Sequence, residues 1–196
     1  MPFALTHLLY LHGFRSSPKS FKARMVEHWM RMHRPHVVWQ CPQLPPSPRD
    51  AITLCEELTR DWPAATMAVV GSSLGGFFAT VMAERRGCRA VLLNPAVDPA
   101  RDLARHIGTQ TSYHDASVAF EFTRKHVDEL RRLSPASITR PKRYAAVIAK
   151  GDELLDWREM TARYPGAHVR LLEGSDHALS DFDQHLPFVL EFLACV

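Results

Sequence analysis

Cysteine is scarce, and the four present, Cys41, Cys55, Cys88 and Cys195, fall in no CxxC or CxxH spacing. That excludes the common zinc and redox motifs and leaves reduced, packed thiols as the reading; no metal or other cofactor is expected. An excess of one charge is also missing. Lysine and arginine total 24 against 21 aspartates and glutamates, a formal net charge of +3 with the 11 histidines neutral. The basic residues are scattered rather than striped, so no nucleic-acid partner is expected. No apolar run approaches the ~18 residues that span a bilayer. The first ten residues carry neither a basic start nor a small-residue cleavage site, so a cytoplasmic protein without a membrane partner is expected. Repeats and low-complexity stretches are absent, and the proline-rich segment 42–48 is too short for a linker. The 196 residues therefore suit one domain, 1–196. With 46% hydrophobic and 23% charged residues, disorder is excluded.

Short apolar runs alternate with amphipathic stretches. Strands are expected over residues 5–11, 36–41, 66–71, 89–93, 144–149 and 167–172. A first helix is expected near Ser17, capped by its hydroxyl with Pro18 in the first turn, and burying Phe21, Met25, Val26, Trp29 and Met30. A second covers 48–62 with Ile52, Cys55 and Leu58 inward. A third runs from Ser73 through Arg86, and the last spans about 181–193. Apolar strands separated by helices predict an α/β fold, a parallel sheet covered on both faces. Ligands of such sheets gather at the carboxyl ends of the strands. The insertion at about 98–141 reads as a partly helical cap, with Val118, Phe122, His126, Glu129 and Leu130 forming a mixed face.

Gly71-Ser72-Ser73-Leu74-Gly75 matches G-x-S-x-G at a strand end that opens a helix, which is the context the motif requires. Ser73 has glycine at both −2 and +2; Ser72 does not. A serine hydroxyl needs a base within hydrogen-bond reach and a group to orient that base. In this turn chemistry the chain order is nucleophile, acid, base. His177, in Gly174-Ser175-Asp176-His177-Ala178 after the last strand, satisfies it. His12 also lies in a strand-end loop but precedes the serine. Asp152, at the tip of the strand 144–149, is the preferred acid, with Asp98 after the fourth strand its rival. Glu153 should point elsewhere, and Asp156 caps the next helix. Asp176, His177, Asp181, Asp183 and His185 cluster in sequence, but Ser180 with Asp183 three residues later reads as a helix start rather than a metal site. The oxyanion of a tetrahedral intermediate would meet the backbone N–H of Leu74 and that of Phe14, in the loop His12-Gly13-Phe14.

Together, Leu9-Tyr10-Leu11-His12-Gly13-Phe14, Ser16-Ser17-Pro18, Pro42-Gln43-Leu44-Pro45-Pro46, Gly71-Ser72-Ser73-Leu74-Gly75-Gly76, Asn94-Pro95-Ala96-Val97, Gly151-Asp152-Glu153-Leu154-Leu155-Asp156 and Asp176-His177-Ala178 resemble the YqiA-type esterases of the α/β-hydrolase superfamily. The resemblance implies a three-layer α/β-hydrolase fold with a reduced, predominantly parallel six-stranded sheet and a short helical cap. It implies carboxylester hydrolysis through an acyl-enzyme, leaves acyl-CoA thioesters open as substrates, and carries Ser73 over as nucleophile, Asp152 as acid and His177 as base. Two positions depart from the pattern. Asp98 is an acid where relatives need not have one, and Arg15 replaces a smaller polar residue. A peptidase or amidase using the same three residues, and a non-catalytic binding protein, stand as alternatives. Arg15, Lys19 and Lys22 are candidates for meeting phosphates of a CoA leaving group, and Tyr113, Phe120 and Phe122 for lining an acyl pocket.

Overall fold

Residues Met67–Ser72 and Tyr144–Ala149 are buried along their whole length and, Ser72 apart, apolar, as strands flanked by helices on both faces must be. The computed structural model describes residues 3–115 and 117–194; Cys195 lies outside them. Its main sheet has six strands, β1 (His7–Leu11), β2 (Val38–Gln40), β3 (Met67–Ser72), β4 (Arg89–Leu93), β7 (Tyr144–Ala149) and β8 (His168–Leu172). The spatial order is β2-β1-β3-β4-β7-β8, and every pairing is parallel. Alternate residues feed two apolar layers. Leu9, Leu11, Val69, Leu92 and Ile148 pack on one side with helices α2 (Pro48–Leu58), α3 (Leu74–Arg86) and α6 (Trp157–Arg163). Leu8, Tyr10, Val70, Val91 and Val147 pack on the other with α1 (Phe21–His33) and α7 (Phe182–Phe192). This is the three-layer α/β-hydrolase architecture, reduced to its parallel strands.

The chain leaves β1 toward β2 and then returns to place β3 on the opposite side of β1. That reversal opens a crevice at the carboxyl ends of β1 and β3, where Leu11 pairs with Gly71. Among the described residues, no helix is long and apolar enough to cross a membrane.

Three expectations need correction. Helix α1 starts at Phe21, not near Ser17. The Ser17 Oγ accepts the Lys19 N–H at 3.1 Å and its carbonyl accepts the Ser20 N–H, so the hydroxyl closes a turn instead of capping a helix. Phe21 consequently stands exposed, while Ala23, Val26 and Met30 are buried. Helix α2 ends at Leu58, where the Thr59 hydroxyl turns back onto the Cys55 carbonyl at 2.8 Å.

The insertion is the third. Between β4 and β7 it holds a one-turn helix α4 (Pro99–Asp102), an antiparallel hairpin β5 (Gly108–Thr111) and β6 (Ala119–Phe122), and helix α5 (Arg124–Leu133). Phe122 belongs to a strand and Val118 precedes it, so only His126, Glu129 and Leu130 share the helix. Helix α5 packs on α2, with Ser47 Oγ donating to Glu129 Oε2 at 2.8 Å. The hairpin, not the helix, rests on the loop 12–17: Tyr113 N–H donates to the Arg15 carbonyl, and the Phe14 ring sits 5.2 Å from that of Phe122.

Candidate active site

Ser73 joins β3 to α3 with φ 55° and ψ −121°, a region that costs a non-glycine residue on the order of 1–3 kcal/mol. The turn is held because strand and helix pass almost in contact. A Cβ on Gly75 would stand 2.0 Å from the Leu11 carbonyl oxygen, so no side chain fits there. Gly13, from the loop after β1, packs on the serine less tightly; a Cβ there would lie 3.3 Å from that of Ser73.

The three residues singled out in the sequence meet at this turn. His177 Nε2 lies 3.0 Å from Ser73 Oγ, and its Nδ1 lies 2.8 Å from Asp152 Oδ2. The Asp152 side chain is wholly buried, and that of His177 retains 17% of its exposure. Asp152 Oδ1 accepts the N–H groups of Leu154 and Leu155, both at 2.8 Å, which fixes the carboxylate plane. With Nδ1–H donated to Asp152, Nε2 is free to accept the serine proton. Asp98 is elsewhere. It is exposed and caps α4 by accepting the Arg101 N–H at 3.1 Å.

The neighbouring acids support the histidine's loop. Glu153 Oε2 accepts the His177 N–H at 3.0 Å. Asp156 caps α6 through the Arg158 N–H. Asp176 accepts both the N–H and the hydroxyl of Ser180, at 2.9 and 2.6 Å, and these bonds hold its carboxyl below the usual carboxylate range. Ser180 is therefore spent on Asp176 and does not cap α7, which begins at Phe182 with Asp181 in the cap position. Among the described residues, no three His, Cys, Asp or Glu side chains gather as a metal site.

Sequence reasoning named Asn94 within a motif but gave it no role. It is fully buried at the end of β4, with φ 41°. Its Nδ2 donates to the carbonyls of Asp176 and His177 at 2.9 and 3.2 Å, and its Oδ1 accepts the Ala149 N–H at 2.8 Å. One amide thus ties the histidine's loop to the strand that carries Asp152. His12 was noticed but given no task. It is buried, its Nε2 accepts the Leu44 N–H at 3.1 Å, and its Nδ1 is 3.0 Å from the Gly13 carbonyl. The Leu44 donor puts the proton on Nδ1, which then donates to Gly13 and sets the course of the loop; burial keeps the ring neutral by lowering its pKa.

Phe14 and Leu74 line the same cavity as Ser73 and His177, a space of about 350 Å³. Among the described residues, the backbone N–H of neither has a partner, so both are available as donors. The three cations grouped in the sequence diverge. Arg15 Nε donates to the Thr111 carbonyl at 2.6 Å and its guanidinium lies 4.3 Å from the centre of the Tyr113 ring. Lys22 donates to the Ala178 carbonyl in the histidine's loop, and Lys19 lines a different cavity.

A profile of the uncharacterised protein family UPF0227 matches residues 7–194. The chain belongs to UPF0227, the YqiA family. Solved structures similar to this UPF0227 member share its fold at low identity. Mouse alpha/beta hydrolase domain-containing protein 10 superposes with a TM-score of 0.71 at 16% identity, over 97% of this chain and 90% of that one. Monoacylglycerol lipase from Paleococcus ferrophilus gives a TM-score of 0.67 at 13% identity, over 99% and 97%. The esterase Pf2001 from Pyrococcus furiosus gives 0.65 at 16% identity, over 97% and 82%.

Proposed function

We propose that this UPF0227 protein is a serine hydrolase acting on carboxylic esters, with thioesters such as acyl-CoA open to the same chemistry. The unbroken chain of hydrogen bonds from Ser73 through His177 to Asp152 carries the reading. Ser73 Oγ attacks the acyl carbonyl while His177 Nε2 takes its proton. The tetrahedral oxyanion is met by the N–H groups of Leu74 and Phe14, each such donor contributing ~3 kcal/mol to the transition state. Collapse expels the alcohol or thiol, which receives the proton from Nε2. Water, deprotonated by the same imidazole, then releases the acid from the acyl-enzyme. Asp152 holds the ring in the tautomer this needs and stabilises the imidazolium. All of these groups come from the chain itself, and the substrate is a small molecule. The similar folds of a monoacylglycerol lipase and an esterase favour ester over peptide bonds.

Labelling with a fluorophosphonate and hydrolysis of a short p-nitrophenyl ester test the proposal together. Wild type should be labelled at Ser73 and turn over the ester; Ser73→Ala should do neither while keeping its fold by circular dichroism. Wild-type turnover by Ser73→Ala, or a folded wild type that takes no label, overturns it.

A further inference from the structure

Two cavities adjoin at the loop His12-Gly13-Phe14. The smaller, about 350 Å³, is lined by Ser73, His177, Leu103 and Tyr113; the larger, about 930 Å³, by Leu44, Pro45, Leu54, Phe78, Val118 and Phe120. Gly13, Phe14 and Leu74 line both, whereas neither Ser73 nor His177 lines the larger. The shared wall, to which His12 and Ser16 also belong, therefore includes the pair of residues proposed to hold the oxyanion.

We infer that the larger cavity is the acyl subsite and that the smaller one receives the leaving group, so that the substrates are esters of a bulky apolar acid with a compact alcohol or thiol. This rests on the esterase reading above, and the argument is one of proton transfer. The leaving oxygen or sulfur must take its proton from His177 Nε2 and so lies on the imidazole's side of the carbonyl carbon. That side is the smaller cavity. With the carbonyl oxygen between Phe14 and Leu74, the remaining substituent is directed past those residues, into the larger cavity. The lining there suits an alkyl or aryl chain. Leu44 and Phe78 are buried, His12 is held neutral, and the Arg15 guanidinium is committed to Thr111. The other ionisable groups on that wall are Lys19, His114 and Asp115, all three exposed to solvent. A cavity of this size lies at the upper end of those that hold small ligands, while the serine's own lies at the lower end.

Two substrate series separate the cavities: p-nitrophenyl esters from acetate to decanoate, which vary the acid, and phenyl and naphthyl acetates, which vary the alcohol. In wild type, kcat/KM should rise roughly threefold per methylene over the first part of the acyl series, mainly through KM. Naphthyl acetate should be hydrolysed less well than phenyl acetate. Leu54→Trp, which fills the larger cavity away from the reacting atoms, should reduce the ratio of kcat/KM for the octanoate to that for the acetates about tenfold; Val118→Trp, on an exposed residue, serves if Leu54→Trp does not fold. Octanoate itself should raise the thermal midpoint of wild type but not of the tryptophan variant. If the tryptophan instead impairs naphthyl acetate and spares the acyl series, the assignment is reversed and the inference fails. If esters are hydrolysed with no dependence on acyl length and octanoate does not bind, the inference fails while the proposed reaction stands. If no ester is hydrolysed but octanoate binds and Leu54→Trp abolishes that binding, the subsite stands and the reaction fails.

Discussion

At the scale of single residues, the two candidate acids are separated by what they touch. Asp152 is buried against the His177 ring at 2.8 Å, and Asp98 caps the start of a one-turn helix in solvent. Asp152→Asn keeps the shape but reverses the imidazole's hydrogen-bond polarity, so kcat for an ester should fall on the order of 10⁴-fold. Asp98→Asn should change it by no more than about twofold. Equal losses in the two variants would move the orienting role away from Asp152. Asn94 is a positioning residue with a different signature. Asn94→Ala strands the His177 carbonyl and the Ala149 N–H, each costing about 1–3 kcal/mol, while the Asp176 carbonyl keeps the Leu179 N–H. Its folded fraction should lose kcat by tenfold or more with KM little changed, and the rate of fluorophosphonate labelling should fall in parallel. A variant that is merely less stable, with normal kcat per folded molecule, would reduce Asn94 to a structural part. Ser73, Asp152 and His177 were legible because their spacing and strand-end positions are constrained by the turn. Asn94 was not, because it acts on backbone atoms of segments more than fifty residues away.

At the scale of elements, what the sequence revealed followed burial. Strands β4 and β7 have the bounds expected from their apolar runs, since only a strand buried on both faces carries such a run there. The hairpin in the insertion was missed. Its strands are four residues each, too short for periodicity to tell them from a helical turn, and their partner is each other rather than the sheet. The start of α1 was misplaced because Ser17 offers the same hydroxyl to a turn as to a helix. That displacement carries a consequence for the histidine's loop. It puts Lys22 in the first turn of α1, where its ammonium reaches the Ala178 carbonyl, and burial pushes its pKa down to about 8. The folded state therefore sheds this proton near pH 8, while the unfolded chain keeps it to about 10.4. Between those limits the unfolded state binds more protons, so this group makes the fold more stable as pH rises. Below pH 8 both states are charged and the slope vanishes. Thermal midpoints of wild type should rise relative to those of Lys22→Met between pH 7 and 9.5. Parallel curves would show that the ammonium is not desolvated.

At the scale of the whole molecule, chemistry is concentrated where the order of strands reverses. The ends of β1 and β3 supply the Gly13 loop and Ser73, and the chain then spends its later strands bringing Asp152 and His177 to the same edge. What closes this edge is the hairpin, and its attachment depends heavily on Arg15. The guanidinium donates to the Thr111 carbonyl at 2.6 Å and to the Thr111 hydroxyl at 3.2 Å, and it stacks on Tyr113, whose own N–H returns to the Arg15 carbonyl. The same residue lines the larger cavity beside Phe14. Arg15→Ala removes the charged donors and the stacking but leaves the backbone bond, so the hairpin should open more often without the sheet unfolding. Limited proteolysis should then cut within residues 108–122 several times faster than in wild type, and the cuts can be placed by mass spectrometry. Because Ser73, Asp152 and His177 stand at the sheet's edge and not on the hairpin, kcat for a short ester should hold while KM for a long one rises. Unaltered cleavage in that segment would mean that Phe14 packing on Phe120 and Phe122 suffices to hold the hairpin, and that the arginine is dispensable to the architecture of the site.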